Sequence, residues 1–140
     1  MINPGGKLLK AWFELLNGVV GVPVYRTDVP STETGNHIIL RLESSTDQRN
    51  NHANVTMPVL ITEVVTRYDT MINDQEVFDI DTAIGNLLSP APWGHNLPVQ
   101  DDIQVVTVVR RDQTVLPEDD GTYRYNRLIT RNVHMVLEKK

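Results

Sequence analysis

The stretch from Met57 to Leu88 sets the strongest limit on what this chain can fold into. Residues 58–67 are mainly apolar and β-branched, a composition that favours a strand. After a turn at 68–74, apolar residues recur at helical spacing from Gln75 to Leu88. A strand that leads into an amphipathic helix is half of a sheet-and-helix core, so we expect the flanking segments to supply further strands.

The flanking segments have the patterns of those further elements. A first amphipathic helix is predicted to begin at Asn3 and Pro4 and to end at Gly18. The other predicted strands are 24–26, 37–43, 103–112 and 122–137, with a turn over 113–121. The order α-β-β-β-α-β-β predicts one α+β domain over residues 1–140, with a mainly antiparallel sheet packed by two helices.

Periodicity predicts which faces of these elements are buried. The expected helix stripes are Leu8, Trp12, Leu15, Leu16 and Val19, and then Val77, Ile80, Ile84, Leu87 and Leu88. In the last strand we expect the more apolar face to lie on the core and the polar face in water. The first of these faces has Tyr123, Tyr125, Ile129, Val133, Met135 and Leu137, with Arg127 and Arg131 among them. The second has Arg124, Asn126, Thr130, Asn132 and His134.

Composition narrows the possible functions. The 140 residues, of which 40% are hydrophobic and 22% charged, suit one soluble globular domain. The formal net charge of -5 argues against a nucleic-acid binder driven by overall charge. Without cysteine there are no disulfides or thiolate metal sites. No apolar run reaches the ~20 residues that span a bilayer, and the first residues lack a secretion signal. We therefore expect a protein of the cytoplasm, or of an assembly built there, with no membrane partner.

No catalytic or cofactor motif occurs in the sequence. The four histidines, His37, His52, His95 and His134, are widely separated and have no metal-ligand neighbour at helical or finger spacing. No glycine-rich phosphate loop follows a strand, and there is no nucleophile elbow. We expect no cofactor, no metal and no catalytic residue. The alternative is a small soluble enzyme or a ligand-binding α+β domain.

Two polar segments between the predicted elements are candidates for partner contacts. Residues 44–54 are polar or small, include Arg49 and His52, and have no core of their own. They form either a flexible loop or an arm that orders against a partner. Residues 89–101 include three prolines and Trp93, which either packs on its own domain or anchors an interface.

Five arginines of the last two predicted strands could form one basic surface. They are Arg110, Arg111, Arg124, Arg127 and Arg131. Few aromatic residues lie between them and the net charge is acidic, so a nucleic-acid surface is disfavoured. We favour pairing of these arginines with acidic residues such as Glu118, Asp119 and Asp120, either across strands or between subunits.

The order and lengths of the elements resemble those of phage tail-terminator or tail-completion proteins and the related neck-ring (head-tail connector) proteins. The resemblance covers nearly the whole chain. The residues that support it are the helix core Leu8-Leu-Lys-Ala-Trp-Phe-Glu-Leu-Leu16, the exit Val22-Pro-Val-Tyr25 and the segment Ile61-Thr-Glu-Val-Val-Thr-Arg67.

The resemblance implies a structural virion protein, assembled in the cytoplasm of a bacterial host, that is not an enzyme. Such proteins form homo-oligomeric rings, of six or twelve copies, that join the portal or connector to the tail proteins. DNA passes through the lumen without specific binding, and an acidic ring suits that passage because it repels phosphate. A head-to-tail ring needs two different patches on each subunit. The expected contact residues are Trp93, Arg49, His52, Arg110, Arg124, Arg127, Glu118 and Asp119.

Overall fold

A computed structural model of the protein describes residues 4–43, 55–68, 75–89 and 94–138. The helices and strands within these ranges are α1 (Pro4–Leu16), β1 (Val24–Arg26), β2 (His37–Leu42), β3 (Val55–Thr56), β4 (Val59–Tyr68), α2 (Gln75–Leu88), β5 (Ile103–Asp119) and β6 (Arg124–Glu138). The predicted fold class is confirmed: the protein is α+β, with two helices and a mainly antiparallel sheet. The structure adds the two-residue strand β3 to the predicted order.

All the described strands belong to one sheet, with β1 and β5 at its edges. The order is β1-β2-β4-β6-β5, and β3 pairs with β6 on the same side as β4. Strand β1 runs parallel to β2, and the other pairs are antiparallel. Strands β3 and β4 pair with β6 in the same register, because Thr56 pairs with Val136 and Val59 with Val133. Between them lies Pro58, which has no amide hydrogen to donate to the ladder.

Both helices cover the same face of the sheet. Helix α1 contacts β1 and β2, α2 contacts β4 and β6, and the helices touch each other. Gly18, at a φ of 76°, adopts the left-handed conformation that ends a helix after α1. Each fully buried aliphatic side chain between the layers stabilises the fold by about 1.5–3 kcal/mol. The largest fully buried aliphatic side chains are Leu8, Leu16, Ile38, Leu40, Leu60, Ile84, Leu88 and Leu128, and the Trp12 ring is buried among them.

The prediction for the buried face of the last strand is wrong. The polar set, Asn126, Thr130, Asn132 and His134, lies under the helices and is at most 2% exposed. The apolar set, which includes Met135 at 37% exposed, lies on the face without helices. Buried polar groups are tolerated when they are hydrogen-bonded, and these are: Asn132, for example, donates to the Leu60 carbonyl at 2.9 Å. Leu128 adds apolar contact in the middle of the same face.

Two further expectations need correction. Val19 is 58% exposed, because the chain turns away after α1. The predicted turn 113–121 is mostly strand, because β5 continues to Asp119. Register shifts between Val105 and Thr107 and between Arg111 and Thr114 each insert one extra residue into β5, so the strand stays paired through its polar middle.

Trp12 and His134 form a hydrogen bond in the centre of the core. The indole Nε1–H donates to His134 Nε2 at 2.8 Å, and His134 Nδ1 lies 3.0 Å from the Pro58 carbonyl oxygen. These two contacts define a neutral imidazole with its proton on Nδ1. Desolvation lowers the pKa of His134 to about 4, against an ordinary 6.5, although the Pro58 carbonyl acts in the opposite direction.

We predict that this histidine makes the protein less stable in mild acid. Between pH 6.5 and 4, His134 is protonated in the unfolded chain but stays neutral in the folded protein. The free energy of unfolding therefore has its full value above pH 6.5 and decreases as the pH falls toward 4. The loss is about 2–3 kcal/mol at 1.4 kcal/mol per pH unit. The amide of His134→Gln can accept from the Trp12 indole and donate to the Pro58 carbonyl, but it does not titrate. The loss of stability on acidification should therefore be about 2–3 kcal/mol smaller in this variant. Urea unfolding followed by Trp12 fluorescence from pH 8 to 4.5 measures both curves; parallel curves would contradict the prediction.

Candidate assembly interface

Helix α2 is fixed on the sheet by a buried ion pair. Asp81 Oδ1 lies 2.6 Å from Arg110 Nη2, and the two side chains are only 12% and 18% exposed. Gln113 Nε2 donates to the other Asp81 oxygen at 2.8 Å, and Arg110 Nε donates to Asn132 Oδ1 at 3.0 Å. Arg110, a predicted contact residue, is thus engaged inside the subunit. The sequence analysis missed Asp81, whose only signal was a carboxylate within the apolar stripe of a helix.

On the opposite face, a chain of ion pairs crosses four strands. Glu63, 4% exposed, contacts Arg41 of β2 on one side and Arg127 Nη1 of β6, at 2.7 Å, on the other. Arg127 also binds Glu118 of β5 through two hydrogen bonds of 3.0 and 3.1 Å. Burial alone would lower the pKa of Arg127, but the two carboxylates outweigh it, so this pKa is raised above its ordinary value. Such a chain neutralises charges that would otherwise be poorly solvated.

The hairpin between β5 and β6 brings four predicted contact residues together. These are Glu118, Asp119, Arg124 and Arg127. Arg124 lies 3.7 Å from Asp119, with both side chains more than half exposed. The Asp120 carboxylate accepts backbone hydrogen bonds from Tyr123 at 2.6 Å and Thr122 at 2.8 Å, which lower its pKa. The cross-strand form of the predicted arginine–carboxylate pairing therefore exists within the subunit.

A shallow groove of about 560 Å³ separates this hairpin from the loop after β1. Its floor includes Ile39 and Val65, and its rim includes Glu33 and the acidic end of the hairpin. The Glu33 carboxylate accepts hydrogen bonds from the Tyr25 hydroxyl and, at 3.0 Å, from the Gly35 amide. The Tyr25 bond lowers the pKa of Glu33. The carboxylates are thus engaged within the subunit, and the groove presents a negative surface.

Strand β5 is the most exposed element of the sheet. Four of its aliphatic side chains are 37–43% exposed: Val106, Val109, Val115 and Leu116. Near its start, the Val105 carbonyl accepts a hydrogen bond of 2.6 Å from His95 Nε2, while His95 Nδ1 accepts one of 3.1 Å from the Leu97 amide. Beyond that contact, the outer edge of β5 has no strand partner among the described residues. The predicted strand reached only to Asp112, so the second half of this edge was not expected from the sequence.

The two predicted arms are attached at one end of the sheet. Residues 44–54 lie outside the described part of the chain, but they connect β2 to β3, whose Val55 pairs with Leu137. Residues 89–101 precede β5, whose Ile103 pairs with Glu138, the residue that follows Leu137 on β6. The acidic hairpin lies at the opposite end. Of the predicted contact residues, Trp93, Arg49 and His52 lie outside the described residues.

In the part of the chain that the structure describes, no group of three histidine or acidic side chains is arranged to hold a metal ion. No described helix is long and apolar enough to cross a membrane.

Together these features define an α+β protein with one open sheet, two helices on a single face and an exposed edge hairpin. The same fold occurs in a chain from the virion of a native gene transfer agent particle, with a TM-score of 0.66 and 16% identity over 91% of this chain and 94% of that one. A second solved protein, which has a sequence identifier in place of a functional name, matches with a TM-score of 0.54 and 15% identity over 99% and 100% of the two chains. No protein-family model and no curated protein matches the sequence.

We predict that Asp81→Ala destabilises the protein by about 2–4 kcal/mol, because it leaves the Arg110 guanidinium buried without its carboxylate. Asp79→Ala is the matched control: it lies on the same helix, is exposed, and should change stability by less than about 0.5 kcal/mol. Urea unfolding at pH 7 measures both. Equal small losses would mean that the ion pair does not hold α2 in place.

Proposed function

We propose that this protein is a structural component of a phage-like particle and forms a ring in its neck or tail, as a tail terminator or a head-tail connector. The observation that supports this best is the likeness of the fold to the gene transfer agent virion chain over 91% of the sequence. The open sheet edges and the exposed aliphatic residues of β5 are consistent with a subunit that is completed by neighbours.

In this role the ring joins the portal or connector to the tail and lets DNA pass. Its formal net charge of -5 per subunit would repel the phosphate backbone, so the lumen would not retain DNA. The arms at 44–54 and 89–101, attached at one end of the sheet, suit contact with the protein on one side of the ring. The acidic hairpin at the other end suits contact with a different partner. We propose contact roles for Trp93, Arg49, His52, Glu118, Asp119 and Arg124 on that basis.

We propose no enzymatic role for this protein. In the groove beside the hairpin, Glu33 accepts a hydrogen bond from the Tyr25 hydroxyl, and Arg127 donates to both Glu118 and Glu63. Side chains held in this way are poorly placed to exchange protons with a substrate, because general acid–base catalysis needs a group free to reach the reacting atom.

The proposed function predicts that the purified protein forms rings, alone or when its portal or connector is added. Negative-stain electron microscopy and mass photometry measure ring shape and copy number. A protein that stays a monomer with every neighbouring virion protein, or particles that assemble normally without it, would contradict the proposal. Turnover of a small molecule by a lone subunit would favour the alternative of a soluble enzyme.

We also predict that Trp93→Ala abolishes assembly while the subunit stays folded. An interface tryptophan contributes most of its free energy only in the complex. Circular dichroism and the melting temperature report folding, and mass photometry reports assembly. Trp12→Ala is the comparison, since loss of that buried ring should unfold the subunit itself. A large fall in the melting temperature of Trp93→Ala would instead make Trp93 a core residue.

A further inference from the structure

Both edges of the sheet are open within the described part of the chain. At one edge, Pro23 and Thr27 direct their backbone groups toward β2, since the Pro23 carbonyl accepts from Ile38 and the Thr27 amide donates to Leu40, each at 2.9 Å. Alternate residues of a strand face opposite edges, so Val24 directs both of its backbone groups outward. Arg26 offers only its amide there, because its carbonyl accepts a hydrogen bond of 2.8 Å from the Asp28 amide. At the other edge, β5 pairs only with β6. An uncovered edge with exposed aliphatic residues is a template for another strand.

The middle run of β5, Thr107–Arg111, is the best acceptor on that edge. The run before it is capped by His95 at the Val105 carbonyl, and the run after it includes Pro117, which has no amide hydrogen. The middle run lies between the two register shifts and includes Val109, which is 43% exposed. Arg111 at its end is exposed and has no ion pair among the described residues.

Ring symmetry excludes pairing of β5 with a second β5. Two identical antiparallel edges meet about a two-fold axis and form a closed dimer, whereas a ring joins two different patches. The strand directions allow such a joint: β1 is parallel to β2, and each step from β2 through β4 and β6 to β5 reverses direction. Strand β5 therefore runs antiparallel to β1, so the β1 edge of a following copy can add to β5 with the helices kept on the same side.

The charges beside the two edges are complementary on the face without helices. Arg111 at the β5 edge pairs with Arg131 and so lies on that face, where it is exposed. At the β1 edge, Glu33 lies at the rim of the negative groove. In a continued sheet, Arg111 would approach that rim on the next copy.

We propose that successive copies of this chain join edge to edge: the Thr107–Arg111 run of β5 pairs antiparallel with β1 of the next copy, and Arg111 approaches the negative groove rim of that copy. This inference rests on the proposed ring. The backbone contact is short, because β1 offers only the two Val24 groups and the Arg26 amide, so the charged contact supplies much of the specificity.

A charge reversal tests the joint. Arg111→Glu places a carboxylate against the negative groove rim of the next copy, so it should weaken assembly by about tenfold or more. Arg111 is exposed, so the melting temperature should not change. Normal assembly of Arg111→Glu would overturn the joint.

A matched pair of lysines separates an edge contact from a face contact. Val109→Lys alters the edge strand, and Met135→Lys alters the adjacent interior strand on the same face at a similar exposure, 43% against 37%. We expect Val109→Lys to block assembly and Met135→Lys to leave it intact. Equal loss in both would assign the contact to the face and overturn the edge joint. Wild-type rings unaffected by any of these variants would overturn only this inference, whereas a wild type that never assembles would also overturn the proposed ring.

Discussion

The ion pair between Asp81 and Arg110 determines how the second half of the chain is arranged. A carboxylate under α2 would destabilise the fold by several kcal/mol without its guanidinium partner, and that partner lies on β5, 29 residues away in sequence. Strand β5 has no other strand neighbour than β6 among the described residues. The helix and the edge strand are therefore held by each other, and the remaining polar groups, Gln113 and Asn132, fill the hydrogen bonds that the pair leaves open.

Much of the architecture could be predicted from local patterns. Helix α2 begins and ends where its 3.6-residue periodicity begins and ends, at Gln75 and Leu88, and β1 matches its predicted bounds. The face of β6 could not be predicted in the same way. The alternation pattern assigns the more apolar face of a strand to the core. His134 and Asn132 are buried nevertheless, because Trp12, Pro58 and Leu60 supply their hydrogen-bond partners. Those partners are 72 or more residues away in sequence, and no local pattern shows that they will meet.

The candidate interface could be predicted only in part, again because some of its contacts join residues far apart in sequence. Arg127 was predicted on the last strand and Glu118 in the turn before it, with pairing of the arginines to this acidic segment, and the two do pair. The sequence does not show that Glu63 will be buried beside them, because that follows from the register of three strands. The length of β5 was also underestimated. The polar residues around Asp112 look like the start of a turn, whereas Asp112 adopts a φ of 53° within a register shift and the strand continues.

The two extra residues of β5 have a geometric consequence for the shape of the sheet. Strand β5 has 17 residues and β6 has 15, and the surplus comes from the two shifts, which both lie on the outermost strand. An edge strand that is longer than the strand paired with it cannot stay flat, so it coils. Each register shift also adds local twist. In the ring proposed above, the bend at this edge would contribute to the angle between one copy and the next. Those two residues would then help to set the circumference of the ring, and with it the width of the hole that it encloses.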